Sequence, residues 1–354
     1  MQMGSWLKNS RKRGMDENMK IAIIGSGSWG TAVAALLSDK GYDIWLWSWL
    51  KEESERLSID RENKEFLPNV MLPGNITCTH DMGSCVEGAD LVITAAPSHA
   101  MRNVAKMLSG FVSEGQRILN ISKGLEEDTL LRLSQVIGSQ IPQARVSVMS
   151  GPSHAEEVGR RIATANVVAS EHIEDAEWIQ DVFMHSWFRV YTSQDMAGVE
   201  YGGAVKNVVA LAAGIAVGLG CGDNTSAALM TRGIAEISRL GAALGAKAET
   251  FGGLTGIGDL MVTCMSVHSR NRRAGVLMGK GYTLEEALNE VHMVVEGVRT
   301  CAAAYKLSQM HGVSMPITEC TYRILYENLS AKDALAELMG REKRHETERD
   351  ILQG

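Results

Sequence analysis

Lys206 is the only charged residue in YGGAVKNVVALAAGIAVGLGCG (Tyr201–Gly222), a run otherwise made of small, apolar and glycine residues, with Asn207 as its only amide neighbour. Four further stretches carry residues able to do chemistry. Ser122-Lys123-Gly124 closes the apolar segment RILNIS, so Lys123 reads as a clamp for a substrate oxygen or as an ordinary surface lysine. Gly151-Pro152-Ser153-His154-Ala155 closes VSVMS, and His154 reads as an acid/base or as a hydrogen-bonding spectator. Gly256-Ile257-Gly258-Asp259-Leu260 puts an acid after a glycine turn. Ser269-Arg270-Asn271-Arg272-Arg273-Ala274-Gly275 sets three arginines in four residues at the expected start of a helix. Such a cluster suits a phosphate through bidentate guanidinium contacts, or else forms a solvated basic face.

Gly25-Ser26-Gly27-Ser28-Trp29-Gly30 fits G-x-G-x-x-G between a strand and a helix. In that context Gly25 permits the tight turn, Gly27 lets backbone approach a pyrophosphate, and Gly30 lets helix and strand pack closely. The helix N-terminus then offers free N–H groups to the anion. The alternatives are a structural turn without ligand, or another nucleotide-like ligand such as S-adenosylmethionine. The next strand ends Trp47-Ser48-Trp49-Leu50-Lys51, with no acid before Glu52 to hold the ribose of NAD. Ser48 and Lys51 could instead accept a 2′-phosphate, although Lys51 equally reads as a solvated loop charge. The choice between NAD and NADP stays open, leaning slightly toward tolerance of NADP.

The elements that must position these residues alternate at first. KIAIIG, YDIWLW, LVITAAP, RILNIS and VSVMSGP read as buried strands, with ANVVAS and FRVYTSQD as further ones. Helical stretches such as TAVAALLSDKG, HAMRNVAKMLSGFV and TLLRLSQVIGSQI lie between them, and LPNVMLPGNITCTH is a short segment. That alternation predicts a doubly wound, mainly parallel α/β sheet of Rossmann type. Past Asp195 strand signals fade, and AALMTRGIAEISRLGAALG, TLEEALNEV, VRTCAAAYKLSQMHG and AKDALAELMG predict an all-helical C-terminal domain. The expected division is a disordered leader (or overcalled start) over 1–18, a dinucleotide-binding domain over 19–195, a helical substrate domain over 196–340 and a charged tail over 341–354. Ligands are expected in the crevice between the two domains.

Composition narrows the classes. With 45% hydrophobic and 22% charged residues the chain is that of an ordinary soluble protein. Its net charge of −7 argues against a general affinity for nucleic acid or an anionic membrane surface, so any anion must meet a local basic site. Six cysteines without a CxxC pair suggest reduced thiols in a cytosol. The first eighteen residues lack the apolar core of a signal peptide. The Tyr201–Gly222 run is about long enough for a membrane span, but its dense glycines and the lack of a second span favour a buried helix or helix pair.

Taken together, GSGSWGTA, APSHA, SKGLE, SGPSHAEEV, EYGGAVKNVVALAAG with GLGCGDNT, GLTGIGDLMVTC, SRNRRAG and VVEGV resemble the bacterial-type NAD(P)-dependent sn-glycerol-3-phosphate dehydrogenases. They run in the family's order from about Met19 to about Leu338. The resemblance implies reduction of dihydroxyacetone phosphate to sn-glycerol 3-phosphate, feeding phospholipid synthesis, with Lys206 as general acid/base. A buried ammonium loses hydration and its pKa falls, which makes proton transfer near neutral pH feasible. The substrate contacts implied are Lys123, Gly151, Ser153, Lys206, Asp259, Ser269, Arg270 and Asn271. Asp259 would orient and charge-balance the lysines, Asn207 and Thr263 would support the carbonyl and hydroxyl ends, and Ser269–Asn271 would hold the phosphate. Cofactor contacts fall on Ser28, Trp29, Lys123, Ala155, Arg270, Val294 and Glu296. Many relatives carry arginine or histidine where this chain has Ser48 and Trp49, which bears on cofactor preference. No metal is implied, and a cytoplasmic homodimer is. The competing expectations are another two-domain lysine dehydrogenase acting on a phosphorylated or carboxylated hydroxy acid, and a nucleotide-sensing scaffold.

Overall fold

A computed structural model describes residues 19–343 and 345–346. The leader 1–18 and most of the charged tail, 344 and 347–354, lie outside the described residues. The strands are β1 (Lys20–Ile24), β2 (Asp43–Trp47), β3 (Glu62–Asn63), β4 (Leu67–Met71), β5 (Ile76–Thr79), β6 (Leu91–Thr94), β7 (Arg117–Asn120), β8 (Arg145–Ser150), β9 (Thr164–Ser170) and β10 (Phe188–Ser193). Eight of them form one sheet in the order β10-β9-β8-β7-β6-β1-β2-β5. Neighbours are parallel except for the antiparallel pair β8–β9.

The central strands β1 and β6 are buried nearly end to end because both faces of the sheet are covered there. Along β1, Ile21 and Ile23 join the core on one face, which includes Val33, Leu36 and Leu37 of helix Ser28–Ser38. Ala22 and Ile24 point the other way, to Met101, Val104 and Leu108 of helix Met101–Leu108. From β1 the chain builds outward through β2 to the β5 edge, then returns to lay β6 on the other side of β1. That reversal opens a crevice at the carboxyl ends of β1 and β6, where open α/β sheets bind ligands.

The expected fold class is the observed one, with two refinements. LPNVMLPGNITCTH holds β4 and β5; β5 extends the sheet beyond β2, while β3 and β4 pair as a small antiparallel hairpin. A four-residue edge strand, ITCT, carries too little periodicity to stand out in sequence. The lysine run is a single helix, Met196–Gly218, not a pair.

No strand follows β10 among the described residues, and the helical part is organised around Met196–Gly218. Asp195 caps this helix by accepting from Gly198 N at 2.9 Å, and also holds Lys247 N and Thr250 Oγ1. The helix is long and apolar enough to cross a membrane, but its apolar window is 83% buried inside the protein. Buried on most sides, it feeds two cores, with Val205 and Val209 in one and Val208, Leu211 and Ile215 in the other. Gly214 and Gly218 face Gly275 and Gly279 of helix Arg270–Gly279. A Cβ on any of the four would run into a carbonyl of the opposing helix, those of Arg272, Val276, Leu211 and Ile215 respectively. This glycine seam brings the two backbones together.

Candidate active site

Two more glycines seat the lysine. A Cβ on Gly202 would lie 2.5 Å from the carbonyl oxygen of Thr255, and one on Gly203 would strike the Ser150 hydroxyl at the end of β8. Helix Met196–Gly218 can therefore lie against both the end of β8 and the turn Leu254–Gly258 that leads into helix Asp259–Met265. One helical turn on from these glycines, Lys206 donates to Asp259 Oδ1 and, at 2.8 Å, to Thr263 Oγ1. Lys123, just past the end of β7, donates to Asp259 Oδ2 at 2.8 Å, to the Gly151 carbonyl at 2.9 Å and to Ser153 Oγ at 3.5 Å. One carboxylate thus joins a lysine of the sheet to a lysine of the helical part.

The burial of this trio sets its electrostatics. Asp259 is fully buried and Lys206 is 5% exposed. Desolvation pulls Lys206 down to about 7; Lys123 adds to the effect and Asp259 opposes it. Burial alone would raise Asp259, but the two ammonium groups outweigh it and hold the carboxyl below its ordinary range. His154 lies near enough that burial, and then the Lys206 charge, lower its pKa, with its Nε2 3.5 Å from the Val262 carbonyl. It is a neutral neighbour at pH 7.

A protonated lysine has three N–H donors. Lys123 spends its three on Asp259, Gly151 and Ser153. Lys206 spends two, and among the described residues no third acceptor engages it. Thr263 is itself pinned, donating to the Asp259 carbonyl at 2.6 Å.

The glycine seam carries the start of helix Arg270–Gly279 to the same level. Ser269 caps this helix by accepting from Arg272 N. Asn271 Nδ2 donates to Asn207 Oδ1 at 2.9 Å, while its Oδ1 accepts from Gly297 N at 2.8 Å. With its oxygen taken, the Asn207 amide has its NH₂ end left to offer. Burial lowers the pKa of Arg270 while Glu156 and Glu296 nearby oppose that fall, and no ion pair engages its guanidinium among the described residues. Arg270 is therefore a half-buried cation available to an anion.

The glycine turn meets the requirements of a dinucleotide. Gly25 has φ +124°, and a Cβ there would lie 2.8 Å from the Ala95 carbonyl at the end of β6. A Cβ on Gly30 would collide with the carbonyl of Gly25, whereas one on Gly27 would meet nothing within 4 Å. No side chain caps helix Ser28–Ser38, so its first N–H groups are left for a pyrophosphate. Ser28 is buried in the first turn, with Trp29 half-buried beside it, and Ala155 opens helix Ala155–Gly159, which packs on Ser28–Ser38. Glu296 reaches across from the helical part to accept from Ser98 N at 3.0 Å and Ser98 Oγ at 2.5 Å; Val294, two residues before it, is exposed. At the end of β2, Ser48 is fully buried, Trp49 is exposed edge-on to Trp47, and Lys51 faces solvent 3.6 Å from Glu55.

Sequence reasoning missed several partners. Ser26 Oγ donates to Glu53 at 2.8 Å, and the Ser26 carbonyl accepts from Thr31 Oγ1 and from Asn63 Nδ2. Ser98 and Glu296 are far apart in the chain, so no local spacing could pair them. The seam glycines did leave a signal: each helix repeats glycine at i and i+4, Gly214–Gly218 and Gly275–Gly279.

Comparison with known proteins shows the family. Residues 20–176 match the family model described as NAD-dependent glycerol-3-phosphate dehydrogenase N-terminus, and residues 195–336 match its C-terminus. The chain is 56% identical over 328 residues to the NAD(P)+ glycerol-3-phosphate dehydrogenase of Moorella thermoacetica, covering 93% of this chain and 98% of the relative. It is 52% identical to the enzyme of the same name from Bacillus pumilus, covering 93% and 96%. The crystal structure of glycerol-3-phosphate dehydrogenase from Coxiella burnetii superposes with a TM-score of 0.89 at 36% identity, covering 92% of this chain and all of that one. With both halves matched in order around one lysine–aspartate–lysine centre, the chain belongs to the NAD-dependent glycerol-3-phosphate dehydrogenase family.

Proposed function

We propose that this protein reduces dihydroxyacetone phosphate to sn-glycerol 3-phosphate with NADH or NADPH, and that Lys206 supplies the proton. The observation that carries this reading is the lysine itself: buried, with a pKa of about 7, held by Asp259 and Thr263, and with one N–H uncommitted. The nicotinamide cofactor, when bound along the glycine turn, supplies a hydride to the ketone carbon. Lys206 donates its proton to the ketone oxygen, and in the reverse direction it takes the proton from the alcohol. Asp259 keeps the ammonium aimed and balances its charge. Lys123, with its donors spent on Asp259, Gly151 and Ser153, holds the sheet side of the site in register and lends positive charge. Asn207 offers its NH₂ to a substrate oxygen. Arg270, with Ser269 and Asn271 beside it, takes the phosphate through its guanidinium.

Division of the chain into a dinucleotide domain over 19–195 and a substrate domain over 196–340 is consistent with the last strand ending at Ser193. By analogy with the family, the protein works as a cytoplasmic homodimer and supplies the backbone of glycerophospholipids. The test is substrate-dependent loss of NADH absorbance with dihydroxyacetone phosphate in wild type and Lys206→Ala. The variant should bind nucleotide normally and lose kcat by about 10²–10⁴-fold. A near-normal rate would remove Lys206 from the chemistry.

A further inference from the structure

The cofactor's second phosphate site is the part of the crevice that family membership leaves undecided. In Rossmann folds an acid about 20 residues past the fingerprint, near the end of the second strand, holds the ribose 2′-hydroxyl of NAD. Strand β2 ends without one, yet a carboxylate reaches the glycine turn from the following helix, Lys51–Asp60. Glu53, in the first turn of that helix, accepts from Ser26 Oγ at 2.8 Å, so its side chain lies against the glycine turn. The turn is tied further where Asn63 Nδ2 (2.7 Å) and Thr31 Oγ1 (3.1 Å) donate to the Ser26 carbonyl.

A 2′-phosphate would also need a cation, and each one on this segment is engaged. Lys51 pairs with Glu55 at 3.6 Å, Arg56 with Glu65 at 3.6 Å and Lys64 with Asp60 at 2.9 Å. Arg61 donates to the carbonyls of Leu72, Pro73 and Ile76. Trp49 and Ser48, at the end of β2, carry no charge.

We propose that Glu53 makes this enzyme prefer NADH over NADPH, by fixing a carboxylate at the ribose edge of the glycine turn where a 2′-phosphate would have to sit. The inference rests on the reading of the turn as the cofactor site and goes beyond it by choosing between the two cofactors. The preference arises from repulsion of the wrong ligand as well as recognition of the right one. A carboxylate opposing a phosphate at a few ångströms, with partial solvent screening, is worth roughly tenfold or more in affinity.

The experiment is a fluorescence titration of the full-length protein with NADH and with NADPH, without substrate, followed by kcat/KM for each. Wild type should bind NADH roughly tenfold or more tightly than NADPH. Glu53→Gln should narrow the gap mainly by tightening NADPH, and Trp49→Arg, which adds a guanidinium at the strand end, should narrow or reverse it. Wild-type NADPH binding as tight as NADH, or a Glu53→Gln ratio equal to wild type, would overturn the preference while leaving the cofactor site intact. Binding of neither nucleotide would overturn the cofactor site and the preference together.

Discussion

At Gly27 an added Cβ would enter empty space; at Gly214, Gly218, Gly275 and Gly279 it would enter a carbonyl oxygen of the facing helix. The first position lies at the mouth of the crevice and leaves room that a ligand can use. The other four lie in the helical part, where the room is taken up by backbone. The helix ends beside them differ in the same sense. Helix Ser28–Ser38 has no side-chain cap and keeps its N–H groups for an anion, whereas helix Arg270–Gly279 is capped by Ser269. One glycine-rich region is therefore shaped for binding. The other sets the distance between Lys206 and the Arg270–Asn271 segment.

Substitutions can separate the two uses. Gly275→Val should have the largest effect, because a branched side chain must displace the Leu211 backbone: about 3 kcal/mol of stability lost, read from the urea midpoint. Gly27→Ala should do the reverse. Its φ of −65° suits any residue and nothing crowds it, so stability should change by less than about 1 kcal/mol. Nucleotide binding should weaken by roughly tenfold, about 1.4 kcal/mol, because the added methyl occupies the pyrophosphate's approach. If Gly27→Ala unfolded the protein while sparing affinity, the contrast would be wrong. Ser269→Ala should lose the least stability beyond Gly27→Ala, about 1 kcal/mol from loss of the cap, measured by thermal denaturation apart from its effect on phosphate binding.

Much of this was legible in the chain. KIAIIG followed by GSGSWG announces β1, the turn and the helix together, because the strand needs apolar residues on both faces and the turn needs glycine at fixed places. Lys206 stood out because a charge in an apolar run must have partners. The partners were less visible. Asp259 and Lys123 lie in separate loops, and only the fold brings their side chains to one point. Glu53 was hidden for a different reason: the acid expected at a strand end came instead from the next helix, a displacement that no spacing rule anticipates. The β5 edge and the antiparallel step at β9 are set by which strands pair, a property of the sheet rather than of any one segment.

The central claim is that Lys206 carries the proton, and the most direct measurement is the pH dependence of kcat/KM, which reports the free enzyme, in both directions. With a pKa of about 7, the lysine is increasingly deprotonated as pH rises through that value. The rate of ketone reduction, which needs the ammonium, should fall above pH about 7, while the rate of alcohol oxidation, which needs the free amine, should rise over the same range. Both limbs should vanish in Lys206→Ala. Parallel profiles in the two directions, or a variant that keeps the same break, would contradict the assignment.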